Sequence, residues 1–66
     1  MNVDVLKIKS LMLYHQLTMS DFASQIGIAE GTLRSRFQNP NKFTQEEMAK
    51  ISSILHIENP KEIFFR

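Results

Sequence analysis

Apolar residues recur along this chain at steps of three and four, and nowhere does a strict apolar–polar alternation persist. That periodicity predicts helices throughout and no strand. Val5, Ile8, Leu11 and Met12, with Leu17 at the margin, make a first stripe, so a helix is expected over about residues 4–15 with Asn2 or Asp4 as its cap. Thr18 can cap a second helix, with Asp21 three residues on as the reciprocal acid, and this helix buries Phe22, Ala23 and Ile26. Gly27 should end it, because glycine takes the left-handed conformation at a helix C-terminus without steric cost. Further along, Thr44-Gln45-Glu46-Glu47 is a full capping box for a helix whose inner face is Met48, Ile51 and Leu55. Asn59-Pro60-Lys61-Glu62 repeats that logic with a cap, a proline at the first helical position and an acid at the third, and opens a last short helix carrying Ile63, Phe64 and Phe65.

The stretch FASQIGIAEGTLRSRF, residues 22–37, decides the architecture. Read as one rod, it would place Phe22, Ile26, Leu33 and Phe37 on a single face. Glu30 would then interrupt that face, and Ile28 would point the opposite way into water. A break at Gly27 removes both conflicts. The third helix accordingly begins near Ala29, a poor cap that Glu30 partly offsets through the helix dipole, and runs to about Gln38. Asn39-Pro40-Asn41 stops it and forms a loop. Two short helices about a tight glycine turn form a helix-turn-helix, with Ile28 plugging the turn and Ala23 allowing the close crossing. Counting 100° per residue from the Leu33 and Phe37 face, Gly31 and Ser35 point outward, flanked by Thr32, Arg34 and Gln38. The expected fold is all-α: a compact bundle of about five short helices around a central helix-turn-helix, in a single domain over residues 1–66.

Composition narrows the function. Sixty-six residues support one small core, marginal alone and open to extension by dimerisation. Without cysteine there is neither a disulfide nor a thiolate metal site. No apolar run approaches membrane-spanning length, and Met-Asn-Val-Asp is not a basic leader, so a cytoplasmic protein with no membrane partner is expected. The net charge of +1 says little, but its distribution is uneven: Arg34, Arg36 and Lys42 fall in a stretch free of acids, Lys7 and Lys9 form a second cluster, and the acids lie mostly in the last third. His15 and His56 have no companion at ligand spacing and read as surface or helix-end residues rather than metal ligands. No serine, histidine and acid come together for catalysis, so neither enzyme chemistry nor a cofactor is expected, and Tyr14 reads as an interhelical packing residue. Of Phe64 and Phe65, one should close the core, leaving the other for a dimer contact or a frayed tail.

Taken together, Ile8…Leu11, Leu17-Thr18, Phe22-Ala23, Ile26-Gly27-Ile28, Thr32-Leu33, Met48…Ile51…Leu55 and Ile57 resemble the Cro and phage-repressor (XRE-type) helix-turn-helix family over nearly the whole chain. The resemblance implies that the third helix is the recognition element, that the start of the second meets the phosphate backbone, and that dimers bind two-fold-related operator half-sites. Three positions depart from the family's habit. Met19 stands where a glutamine often contacts phosphate and base, which shifts that contact to Thr18 and Ser20. Met12 and Phe37 stand where an arginine and a glutamate often pair, a replacement of an ion pair by apolar packing. Arg36 occupies a usually apolar position, its stem along the core edge and its guanidinium reaching solvent or phosphate.

The expected DNA-contacting set is Thr18, Ser20, Glu30, Gly31, Thr32, Arg34, Ser35, Arg36, Gln38, Asn39, Asn41 and Lys42. Gly31 and Ser35 allow close backbone approach in the major groove, and Arg34 is suited to phosphate or guanine edges. Thr32 and Ser35 offer hydroxyl donors, and Gln38, Asn39, Asn41 and Lys42 flank the DNA backbone. Two roles stay open for Glu30: acceptor from a cytosine amino group, or first-turn acid favoured by the helix dipole. The partner expected is a double-stranded operator bound by a homodimer, the protein acting as a repressor or Cro-like regulator. The competing reading keeps the scaffold but makes it a protein-interaction module that binds a second regulator, as an antirepressor or antitoxin-like partner would. Both a complete Cro-like protein and an N-terminal domain of a longer repressor fit the chain.

Overall fold

The computed structural model describes residues 3–64. Five α-helices follow one another: α1 Val5–Tyr14, α2 Met19–Ile26, α3 Glu30–Gln38, α4 Gln45–Ile54 and α5 Lys61–Phe64, with a 3₁₀ turn at Pro40–Lys42 between α3 and α4. The described residues contain no strand, and the expected all-α bundle is the fold observed.

Local chemistry sets the helix starts. Asp4 caps α1 by accepting from the Lys7 amide at 3.0 Å; Asn2, the other candidate, lies outside the described residues. Thr18 with Asp21 caps α2, and Thr44 with Glu47 caps α4, each a reciprocal capping box. Ala29 precedes α3 without any side-chain cap. At α5 the closure is made by backbone, with the Asn59 and Pro60 carbonyls accepting from Glu62, Ile63 and Phe64. Pro60 stands one residue ahead of that helix rather than in its first position.

Gly27 ends α2 at φ 89°, and the Ile28 amide reaches back to the Ala23 carbonyl at 3.0 Å. Residues 22–37 are therefore two helices with a reversal between them, as the conflict of Glu30 and Ile28 required. The same closure recurs elsewhere without glycine. Gln16 at φ 58° and His56 at φ 55° occupy the left-handed region, while Leu17 reaches the Met12 carbonyl and Ile57 that of Ser52.

The core comprises Ile8, Met12, Phe22, Ala23, Ile26, Leu33, Phe43, Met48, Ile51, Leu55, Ile63 and Phe64, drawn from all five helices and the turn after α3. Phe64 is wholly buried and closes the core; Phe65 lies outside the described residues. α2 packs against both α3 and α4, while α5 folds back on α1, where the Asp4 amide donates to the Ile63 carbonyl at 2.7 Å.

Two expectations need correction. Tyr14 is 79% exposed and packs between no helices; its ring meets only the edge of His15, because position 14 falls on the solvent side of the stripe set by Ile8 and Met12. The segment after α3 is not plain loop: Pro40 starts a 3₁₀ turn that buries Phe43.

Candidate nucleic-acid interface

α3 is fixed from below by Leu33, which is fully buried, and by Phe37, which is half-buried and edge-on to Phe43 at 6.1 Å. Anchored on that side, the helix leaves Gly31, Arg34, Ser35 and Gln38 exposed and Thr32 half-buried. A Cβ added at Gly31 would meet no atom within 4 Å. The backbone is thus most accessible at the start of the helix. Asn39, Asn41 and Lys42 are exposed on and beside the following 3₁₀ turn, and Thr18 and Ser20 are exposed at the start of α2. The Thr18 hydroxyl oxygen is already committed to the cap, accepting from the Asp21 amide at 3.0 Å.

The charged residues of α3 are less free than their spacing suggests. Arg34 donates from Nε and a terminal nitrogen to one oxygen of Glu30, at 3.2 and 2.7 Å, one helical turn apart. Both side chains remain open to solvent, at 60% and 42% exposure, so the pair is weak and can be broken by a competing anion. Glu30 lies at the edge of the outward face, where it lowers the local positive charge.

Arg36 takes a different course. Its guanidinium, with the side chain 24% exposed, is held by α4: Nε donates to Glu47 Oε1 at 3.0 Å and a terminal nitrogen to Oε2 at 3.3 Å. Position 36 is turned toward α4, and Glu47 there is a buried carboxylate that attracts it. Burial raises the Glu47 pKa, but the Arg36 hydrogen bond, the Thr44 amide and the charges of Arg36 and Lys50 outweigh it and hold the carboxyl below the ordinary glutamate value. Spacing alone could not pair residues on different helices; the only hint was an acid at the third position of the capping box.

Beside α3 an open groove of about 470 Å³ runs between α1 and the start of α2, lined by residues that include Lys9, Met12, Met19, Arg34, Phe37 and Gln38. Met12, Leu13, Leu17, Met19 and Phe37 form its apolar lining. Lys9 lies with its ammonium 5.5 Å from the Phe37 ring centroid, bringing a cation from α1 beside α3. Along the chain Lys9 neighbours only Lys7; helix packing alone brings it to α3.

His15 donates from Nε2 to the Leu55 carbonyl at 3.2 Å and its ring lies 5.5 Å from that of His56, tilted by 49°, so both histidines sit where the ends of α1 and α4 meet. Among the described residues no three histidines or acids are grouped to hold a metal ion.

A family model for the Cro/C1-type HTH DNA-binding domain matches residues 7–65. The chain belongs to this family. No curated protein and no solved structure matches it. As a Cro/C1-type HTH domain it is a double-stranded-DNA-binding module of the transcription-regulator class. No helix of the described residues is long and apolar enough to cross a membrane.

Proposed function

We propose that this Cro/C1-type domain is a sequence-specific operator-binding regulator of phage or prophage type, a repressor or Cro-like switch that works in the cytoplasm. Two copies bind a two-fold-related site, each inserting α3 with its Ala29 cap, residues 29–38, into the major groove. The observation that carries this reading is the outward face of α3, where the exposed Gly31 and Ser35 leave the backbone uncovered between Arg34 and Gln38. Thr18, Ser20, Thr32, Asn39, Asn41 and Lys42 contact the backbone or base edges around that insertion, and occupancy of the site excludes polymerase. Arg36 serves the orientation of α3 instead of touching DNA.

A second reading, a module that binds another regulator on the same scaffold, is favoured by one observation: both arginines of α3 are already paired with carboxylates.

Electrophoretic retardation of the natural upstream duplex, measured across a salt series, separates the two. Operator binding predicts affinity falling steeply with salt, by a log–log slope of about −0.9 per phosphate neutralised. Arg34→Ala should weaken binding with the fold intact, whereas Glu30→Gln, which releases Arg34 and removes a carboxylate, should tighten it. Absence of any duplex shift at low salt would leave the interaction module as the surviving reading.

A further inference from the structure

The groove beside α3 divides its lining by burial. Met12 is buried and Leu17, Met19 and Phe37 are half-buried, so the inner surface is apolar. Its exposed members are Lys9 and Leu13, one turn apart on α1, and Arg34 and Gln38, one turn apart on α3. Among the described residues no acid lines it, and no carboxylate lies within ion-pairing reach of Lys9, whose ammonium rests 5.5 Å from the Phe37 ring centroid. The pair of Arg34 with Glu30 is open to solvent and yields to a competing anion. Leu13, 80% exposed, is an apolar edge that a molecule seated in the groove would cover.

We propose that this groove binds a small aromatic monoanion, a flat apolar body carrying one carboxylate or sulfonate, and that the bound ligand competes with the duplex for Arg34. The competition rests on the proposed operator reading, whereas the site stands on the groove alone. The anionic group meets Lys9 and Arg34 at the rim, displacing Glu30 from the arginine. The rings lie inward against Met12, Met19 and Phe37.

Size and charge select that class. The volume of about 470 Å³ falls within the ~300–1,000 Å³ of small-molecule sites, which combine an apolar lining with a few converging polar groups. A docked helix needs anchors at i, i+4 and i+7, a row of about 10 Å, whereas each wall here is one turn long, about 6 Å. Two cations without an acid favour an anion. The apolar interior disfavours a heavily hydrated polyanion, which would lose its water without gaining partners there. Methionine thioethers and the Phe37 ring suit a flat aromatic face. Arg34 and Gln38 belong at once to the rim and to the expected DNA-contacting set, so ligand and duplex each lower the other's affinity by the same factor.

Two fluorescent probes that differ in the anionic group test the site: 1-anilinonaphthalene-8-sulfonate and the neutral N-phenyl-1-naphthylamine. The sulfonate should bind saturably at one per chain and shift the amide resonances of Met12, Met19 and Gln38, while the neutral probe binds several-fold more weakly. Lys9→Gln should weaken the sulfonate several-fold, and Leu13→Glu, which places a carboxylate on the rim, should abolish its binding. Lys7→Gln and Leu6→Glu make the same charge changes at exposed positions of α1 outside the groove and should leave it unchanged. Far-UV circular dichroism verifies that each variant is folded. Equal affinity for the two probes, or equal losses in the paired variants, overturns the site. Retardation of the upstream duplex then tests the competition: saturating sulfonate should raise the protein concentration needed for half-retardation several-fold. Duplex binding that ignores the bound probe removes the competition and keeps the site. Probe binding by a chain that retards no duplex keeps the site and removes the operator reading.

Discussion

Arg36 and Glu47 meet in a two-point ion pair that ties α3 to α4, at 3.0 and 3.3 Å. The same Glu47 oxygen that receives Arg36 Nε also accepts from the Thr44 amide at 3.1 Å. One carboxylate thus completes the capping box of α4 and fixes the roll of the helix carrying the outward face. Arginine suits this position because its planar fork matches the carboxylate, which a lysine ammonium cannot do.

Truncating Arg36 should therefore destabilise the domain well beyond what a surface charge is worth. Arg36→Ala leaves Glu47 buried and short of its main partner, for an expected loss of about 1–3 kcal/mol. Arg36→Lys should lose less, since the charge survives and the fork does not. Chemical denaturation of the two variants beside wild type checks the order; a change within about 0.5 kcal/mol for Arg36→Ala would mean the pair is worth no more than a surface ion pair.

The pair also gives the fold an acid sensitivity of known sign. Glu47 titrates below its ordinary value of 4.5 in the folded state, so the folded chain binds its proton less readily than the unfolded one. Its contribution to stability is fully present above the unfolded value and drains away as pH falls through the folded one. Thermal unfolding followed from pH 7 toward strong acid should show wild type losing stability below about pH 4.5, with part of that slope absent in Glu47→Gln. Parallel curves for the two proteins would remove Glu47 as the source.

How much of this was written in the sequence depends on the range of each interaction. Caps at Thr18 and Thr44, the stop at Gly27 and the buried stripe act within one or two turns, and the residues that encode them are neighbours in the chain. The outward placement of Gly31 and Ser35 followed from the same helical counting. Arg36 with Glu47 and Lys9 over Phe37 bridge separate helices, and no periodicity reports how those helices pack. Tyr14 failed for a related reason: an aromatic beside an apolar stripe looks buried until the roll of the helix places it on the far side.

Two helix ends are built on residues poorly suited to them. Gln16 and His56 hold φ 58° and 55° where a residue with a Cβ is strained, at a cost of about 1–2 kcal/mol relative to glycine. Glycine's greater freedom in the unfolded chain offsets part of the relief. Gln16→Gly should therefore stabilise the domain by about 0.5–1 kcal/mol, and His56→Gly by less because its ring packs near that of His15. Gly27→Ala should do the reverse by a similar amount. The nearest atom to its added Cβ is the flexible Lys50 ammonium at 3.7 Å, so the penalty there is backbone strain and not a clash. Equal melting temperatures for all three variants and wild type would refute the account.

Gly31 offers the sharpest separation of fold from function. Its φ is not in the left-handed region and a Cβ there would meet nothing within 4 Å. Nothing in the folded domain therefore requires glycine at this position, and alanine should raise stability through helix propensity, by less than the ~1 kcal/mol of a helix interior because Gly31 is the second residue of α3. If α3 enters a major groove with this backbone closest to the bases, the added methyl group occupies space the duplex needs. Gly31→Ala should then melt higher than wild type yet bind the upstream duplex several-fold more weakly. Stability and binding would move in opposite directions, which general damage to the domain cannot produce. A variant that melts higher and binds the duplex as tightly as wild type would show that Gly31 does not face the DNA closely, and α3 would have to meet its target through the Gln38 end instead.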